Sequence, residues 1–121
     1  MKTASYMAAA MSVLSFGLGV LPAMADSVKK EMPGQQLAFD NKKGNCLACH
    51  TMPTDSAAVT QANIGPPLML MSQRYPDKAK LRARIWDATV ANPNTVMPPF
   101  GKHSILTEQE IDKVVDYVFD L

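Results

Sequence analysis

The chain has 121 residues with 12 basic and 11 acidic side chains, so its formal net charge is only +1. This balance excludes the strongly basic surface that non-specific binding to nucleic acid requires. A folded unit of about 100 residues buries only roughly 60–65% of its unfolded surface, so its core is marginal without a disulfide or a cofactor.

The first 25 residues have the composition of a secretory signal peptide. Lys2 supplies the positive charge, residues 7–21 form an apolar run, and Ala23 and Ala25 form an A-x-A cleavage signal. We expect cleavage after Ala25, a mature domain over residues 26–121 and export from the cytoplasm. A retained membrane anchor is the alternative, but the run is shorter than the ~20 apolar residues of a membrane span.

The first two predicted helices are short. Residues 34–40 read as a helix, with Gly44 available for a left-handed conformation just beyond its end. A loop rich in Thr, Ala, Pro and Gly follows over residues 51–67. Residues 68–74 are predicted to form the second helix.

A third helix is predicted over residues 77–91. Asp77 is its predicted N-cap, and Pro93 forbids its continuation. Its buried stripe is predicted from apolar side chains at i, i+4 and i+7, which are Leu81, Ile85 and Ala88.

The last predicted helix begins at a capping box formed by Thr107 and Glu110, after a second long loop over residues 92–104. No alternating strand pattern is present, so the sequence predicts an all-α domain of three to five helices. Long loops suit so small a domain only if they wrap something large. The helix repeats apolar side chains at helical spacing, namely Ile111, Val114, Val115, Val118 and Leu121.

The chemistry-bearing motif is C-x-x-C-H, formed by Cys46, Cys49 and His50. It is the attachment signature of haem c, because two thiols at this spacing can each bond one vinyl group while the imidazole Nε2 of His50 coordinates iron. A disulfide would close too small a loop to stabilise the chain much. A thioredoxin-like site needs a βαβ setting, and zinc needs more ligands than the remaining His103 supplies. The sequence therefore predicts one covalently attached haem.

Met97 is the predicted second axial ligand of the iron. Thioether sulfur opposite histidine is the arrangement of electron carriers. Met97 precedes Pro98 and Pro99, which stiffen a loop long enough to reach the opposite haem face. His103 is the alternative ligand. The other methionines considered are Met32 and Met52, which are poorly placed, and Met69 and Met71, which are expected to pack against the haem edge.

Pro66 is the predicted partner of His50. A neutral imidazole usually donates its Nδ1–H to a carbonyl, which fixes the tautomer and raises the basicity of the ligand. The stiff Gly65-Pro66-Pro67 turn offers such a carbonyl. An ordinary turn with no such role is the alternative.

The motifs of both halves of the chain resemble class I cytochrome c. The resemblance covers most of the mature chain and implies the class I cytochrome c fold around one haem, with His50 and Met97 as axial ligands and the Pro66 carbonyl on His50. The matching segments are Cys46-Leu47-Ala48-Cys49-His50, Gly65-Pro66-x-Leu68, Met97-Pro98 and Leu106-Thr107-x-x-Glu110-Ile111.

Three longer segments of the sequence are similar to the SoxX family, the small cytochrome subunits of SoxAX thiosulfate-oxidising complexes. This resemblance implies a periplasmic heterodimer with a SoxA-type cytochrome, which would hold the reacting site, so no catalytic residue is expected on this chain. It also implies a SoxYZ-type carrier whose cysteine is joined to thiosulfate, and a soluble cytochrome that accepts the electrons. The segments are 44–50, 63–68 and 92–107, with Asn92-Pro93-x-Thr95-x-Met97-Pro98-Pro99-Phe100 the longest.

Two other functions remain open at this stage: a free-standing shuttle cytochrome, and a haem sensor or peroxidase whose methionine is labile. An apolar pocket that raises the reduction potential is expected from Leu68, Leu70, Ile85, Phe100 and Val114. A partner-docking surface, or alternatively a simple solvated helix face, is expected from Arg74, Lys78, Lys80, Arg82 and Arg84.

Overall fold

The structure is a computed structural model that describes residues 31–121, so the predicted signal peptide and its cleavage site lie outside the described residues. Within this range the chain forms four α-helices and two 3-10 turns, with no strand. The prediction of an all-α domain with three to five helices is therefore confirmed. The helices are α1 (Gly34–Phe39), α2 (Met71–Arg74), α3 (Lys78–Trp86) and α4 (Glu108–Phe119), and the 3-10 turns are Cys46–Ala48 and Ala88–Val90.

Helix α4 begins as predicted. Thr107 Oγ1 accepts a hydrogen bond from the backbone N of Glu110 at 3.2 Å, and Glu110 Oε2 accepts one from the backbone N of Thr107 at 2.9 Å. This capping box satisfies two backbone donors that the first turn would otherwise leave unpaired. Leu121 lies beyond the end of the helix, whereas the rest of the predicted stripe is buried: Ile111, Val114, Val115 and Val118.

Helices α1 and α4 pack tightly against each other. A Cβ at Gly34 would lie 2.0 Å from the carbonyl oxygen of Lys113, so only glycine permits this approach. The rings of Phe39 and Tyr117 meet edge to face with centroids 6.0 Å apart. Leu37 of α1 is buried. The first and last helices of the described chain thus close the domain.

Helix α3 is shorter than the predicted helix 77–91. Asp77 caps it as predicted, accepting a hydrogen bond from the backbone N of Ala79 at 2.9 Å. The helix ends at Trp86 because Asp87 turns to extended geometry (φ −152°, ψ 94°) and caps the 3-10 turn Ala88–Val90 instead. The chain therefore leaves the helix well before Pro93.

Two local details of the first half differ from prediction. Gly44 is not left-handed; Asn45 takes that conformation, with φ 46°. Glycine is needed at position 44 for close approach, since a Cβ there would lie 2.8 Å from the carbonyl oxygen of Leu37. The second helix begins at Met71 instead of residue 68, because Leu70 before it is left-handed (φ 53°).

No helix among residues 31–121 is long and apolar enough to cross a membrane.

Candidate haem-binding site

The C-x-x-C-H motif forms a compact turn. Cys46–Ala48 is a 3-10 turn, and the Cys46 carbonyl accepts hydrogen bonds from the backbone N of Cys49 at 3.1 Å and of His50 at 2.9 Å. Both cysteines are free thiols and not a disulfide. Burial raises the pKa of the Cys46 thiol to about 11, so this thiol is neutral at physiological pH.

The His50 ring is held by the predicted partner. Its Nδ1 lies 2.7 Å from the carbonyl oxygen of Pro66. Because a carbonyl can only accept, Nδ1 carries the proton in this contact, and Nε2 keeps the lone pair that a metal needs. The turn at Pro66 therefore selects the tautomer in which His50 is a competent ligand through Nε2.

Gly65 supports the imidazole from one side. A Cβ at this position would lie 2.3 Å from His50 Cε1 and 2.6 Å from Nδ1, so the ring lies against bare backbone. The backbone N of Gly65 donates to the Cys49 carbonyl at 2.8 Å, and the N of Leu68 donates to the Thr51 carbonyl at 2.8 Å. These two hydrogen bonds hold residues 65–68 beside the C-x-x-C-H motif. The sequence marked Gly65 only as part of a turn, and its place beneath the ring was missed.

Met97 reaches the apolar core from the second long loop. Its side chain is half-buried and packs on the same cluster of buried residues as Cys46. Its backbone N donates to Thr95 Oγ1 at 3.1 Å, which stiffens the loop just before it. His103, the alternative ligand, is exposed at the surface. Met97 is therefore the more buried of the two predicted alternatives.

The remaining methionines have other roles in the described chain. Met52 is 1% exposed, and its sulfur lies 3.3 Å from the Tyr117 hydroxyl oxygen. Met71 is buried in the core, whereas Met69 is 37% exposed. Met32 is partly buried against the core.

Of the five residues expected to line an apolar pocket, four are buried and Leu70 is not. Leu70 is 50% exposed, because its left-handed backbone turns the residue outward while its N donates to the Leu121 carbonyl at 2.8 Å. Among the other exposed large apolar side chains are Ile64, next to Gly65, and Val96, next to Met97. The other four predicted lining residues are buried: Leu68, Ile85, Phe100 and Val114.

These residues fit a covalently attached haem. The donor set predicted from the sequence, one neutral imidazole nitrogen and one thioether sulfur, suits haem iron. A neutral thiol at Cys46, a flat support at Gly65 and exposed apolar side chains at Ile64 and Val96 complement a large apolar ring. In contrast, residues 31–121 contain no group of three His, Cys, Asp or Glu side chains that could hold a metal ion by themselves.

A polar junction that the sequence did not reveal ties the segment after His50 to both closing helices. Asp55 Oδ2 accepts hydrogen bonds from the Tyr117 hydroxyl and from Gln35 Nε2, each at 2.6 Å. The bonds from Tyr117 and Gln35 lower the pKa of Asp55. Burial and the bond to Asp55 raise the pKa of Tyr117.

Replacing Tyr117 by Phe is expected to lower the melting temperature by roughly 4 °C near pH 7, as for a lost hydrogen bond in a small domain. The lowered pKa of Asp55 stabilises the fold above its ordinary pKa of about 4, and this contribution is lost as pH falls. The raised pKa of Tyr117 stabilises the fold below its ordinary pKa of about 10, and this contribution is lost as pH rises.

Thermal unfolding of Tyr117→Phe and the parent protein across pH tests this expectation. The difference in melting temperature should be constant from about pH 5 to 9 and shrink outside that window. Tyr75→Phe, which removes a hydroxyl from another half-buried tyrosine, is the control. A difference that stays constant down to pH 3 would contradict the coupling to Asp55.

The helical fold and the C-x-x-C-H site with its Pro66-oriented histidine define a c-type cytochrome. A family model described as Cytochrome C oxidase, cbb3-type, subunit III matches residues 33–118, which is more than half of the chain. The chain belongs to this cytochrome c family, and its fold is that of class I cytochromes c.

Two further comparisons refine this assignment. The crystal structure of SoxXA from P. pantotrophus superposes with a TM-score of 0.63 at 26% identity, covering 71% of this chain and 77% of that one. An uncharacterized lipoprotein of Aquifex aeolicus (strain VF5) is 36% identical over 80 residues, which is 66% of this chain but only 38% of the relative. The chain is therefore a SoxX-like cytochrome, as its motifs indicated.

Proposed function

We propose that this protein is a monohaem electron carrier that acts as the small subunit of a SoxXA-type complex. The observation that carries the proposal is the His50–Pro66 contact at 2.7 Å within a C-x-x-C-H turn, in a chain that superposes on SoxXA. An imidazole locked in the ligating tautomer has a clear use only if iron lies at Nε2.

The site residues divide the work of holding the cofactor. Cys46 and Cys49 would hold the haem through thioether bonds, and His50 and Met97 would ligate its iron. When bound, haem supplies reversible one-electron exchange at its iron. Pro66 keeps the proton on His50 Nδ1, and the backbone of Gly65 prevents the ring from tilting.

With His50 and Met97 both ligating the iron, a small molecule would bind only after displacing Met97. The buried side chains of Leu68, Phe100 and Val114 keep water from the site. Thioether ligation and an apolar surround both favour the reduced state and raise the potential. These properties suit transfer of single electrons between proteins and disfavour oxygen or peroxide chemistry.

The proposed partner is a SoxA-type cytochrome that carries the reacting site. There, thiosulfate is joined to a cysteine of a SoxYZ-type carrier, and this chain relays the two electrons one at a time to a soluble cytochrome. The role requires export, which the predicted signal peptide and cleavage after Ala25 provide. The mature protein is then a single cytochrome domain over residues 26–121 in the periplasm.

Mass spectrometry of the native protein purified from its periplasm tests the whole proposal. The expected result is a chain that begins at Asp26, carries the mass of one haem and co-purifies with a second cytochrome. A haem-loaded chain that purifies without a second cytochrome would favour the free-standing shuttle. A chain without covalent haem would overturn the proposal altogether.

The basic residues of α3 serve two different purposes. Lys78 pairs with Asp116 at 2.7 Å, and Arg82 pairs with Asp112 at 2.6 Å, so these two side chains join α3 to α4. Lys80 and Arg84 are exposed and are the α3 cations best placed to meet an acidic partner. The expected docking surface therefore narrows to Lys80 and Arg84.

Reversing charge with Lys80→Glu and Arg84→Glu is expected to slow association with the partner cytochrome about tenfold at low salt and to flatten its salt dependence. Stopped-flow electron transfer at several ionic strengths measures both effects. Lys42→Glu, an exposed site outside α3, is the control for the single Lys80→Glu change. Equal rates for these two single variants at low salt would exclude docking at α3.

A further inference from the structure

The loop that carries Met97 is stabilised internally by local hydrogen bonds. The backbone N of Thr95 donates to the Asn92 carbonyl at 3.0 Å, and the N of Asn94 donates to Asn92 Oδ1 at 3.1 Å. Each of these bonds joins residues two or three positions apart. They set the shape of the loop but cannot fix where Met97 lies relative to His50.

The C-terminal end of the loop is tied to the end of α3. The Trp86 carbonyl accepts hydrogen bonds from the backbone N of Gly101 at 3.1 Å and of Lys102 at 3.3 Å. A Cβ at Gly101 would lie 2.1 Å from the Trp86 ring, so the indole lies flat on the loop backbone. These contacts begin four residues after Met97 and hold the loop against α3.

Asp87 reinforces this junction from within the fold. It is 6% exposed and is the only buried charged side chain among residues 31–121. Its Oδ2 accepts a hydrogen bond from Lys102 Nζ at 2.8 Å, and its Oδ1 accepts bonds from the backbone N and the hydroxyl of Thr89. Lys102 and Thr89 lower the pKa of Asp87.

A buried carboxylate is costly unless it is paired, so it has to be explained by what it joins. The cap on Thr89 alone could be supplied by a neutral Asn or Ser. The negative charge is needed only for Lys102, whose side chain is 57% exposed and would otherwise be free to move into solvent. The pair therefore has one substantial structural effect, which is to fasten the residue that follows Gly101.

We infer that Asp87 and Lys102, with Trp86 and Gly101, form a clasp that holds the Met97 loop so that its sulfur stays on the iron. Asp87 and Lys102 are positioning residues that act through Met97. This inference rests on the proposed ligand role of Met97. It identifies α3 as the part of the fold that controls how often the second axial position opens.

An added ligand such as imidazole can bind the oxidised protein only when Met97 has left the iron. Its apparent affinity is therefore proportional to the fraction of molecules with the position open. Loss of the clasp raises that fraction, and the apparent affinity for imidazole should rise about three- to fivefold, as for an ion pair with one exposed partner.

Imidazole titration of the oxidised holoprotein tests the clasp, with the near-infrared sulfur-to-iron band recorded in parallel. Lys102→Met, which removes the charge from an exposed side chain, should raise the affinity and weaken the band, and Lys102→Arg should restore both. Asp87→Asn should resemble Lys102→Met. Lys78→Met, which breaks the 2.7 Å pair with Asp116 far from the loop in sequence, is the matched control and should change neither.

The outcomes separate the clasp from the function on which it rests. A normal band in the parent protein with unchanged imidazole affinity in Lys102→Met would overturn the clasp and leave Met97 ligation intact. The clasp would also be overturned if Lys78→Met raised the imidazole affinity as much as Lys102→Met, because the effect would then reflect general stability. If the near-infrared band persisted in Met97→Ala, Met97 would not be the ligand, and the clasp would be refuted with it.

Discussion

Replacing Cys46 and Cys49 together by Ser is expected to give a colourless and largely unfolded chain. Cys46 packs against the cluster of buried apolar residues, so its thioether would anchor the cofactor to the core. A domain of this size has few apolar contacts to spare, and loss of a large apolar ring should remove most of its stability. Absorption spectra and far-UV circular dichroism should show no haem and no cooperative thermal transition.

A variant with the same kind of substitution outside the thiols separates attachment from folding. Ala48→Ser lies at an exposed position of the same turn and should keep both haem and a cooperative transition. The double cysteine variant would contradict the expectation if it melted cooperatively without haem, since the protein core would then be sufficient by itself.

Replacing Met97 by Ala is expected to abolish the near-infrared sulfur-to-iron band and lower the reduction potential. The shift should be on the order of 100 mV, a part of the roughly 0.8 V range that axial ligands control. Carbon monoxide should then bind the reduced protein without denaturant. Redox titration and carbon monoxide difference spectra measure these changes.

Met69→Ala is the appropriate control, because Met69 is a partly exposed methionine that lies before α2. It should retain the band and the potential of the parent protein. If the band disappeared in Met69→Ala and persisted in Met97→Ala, the axial ligand would be Met69. The clasp on the Met97 loop would then have no role in ligation.

The features that could be predicted from sequence are those encoded over a few neighbouring residues. The capping box of Thr107 and Glu110 and the stripe behind it are local patterns, and α4 formed where they indicated. The attachment motif likewise needs only five consecutive residues. The Pro66 contact with His50 was within reach because a stiff turn limits the positions of its carbonyl.

The missed features depend on contacts between distant parts of the chain. Helical periodicity continued past Trp86, but Asp87 is extended and its carboxylate caps the next turn at Thr89. Leu70 fits an apolar pattern, yet its backbone bond to Leu121 turns it outward. A residue's period along one helix cannot report such tertiary partners.

Gly44 shows the same limit at a single residue. A glycine just beyond the predicted helix suggested a left-handed conformation. The structure instead requires glycine there because a Cβ would lie too close to the Leu37 carbonyl. Both uses of glycine look identical in a sequence, and only the neighbouring element distinguishes them. The Asp55–Tyr117 bond was hidden for a similar reason, since 62 positions separate its partners.

The close contact of Gly34 in α1 with the backbone of α4 has a consequence for how such proteins can diversify. Because α1 and α4 pack against each other, the two ends of the domain are held together without help from the intervening loops. Lengthening a loop costs little entropy, about 0.6 kcal/mol for each doubling. The segments that touch the cofactor can therefore change in length and composition, and with them the potential and choice of partner, while the helical frame stays the same.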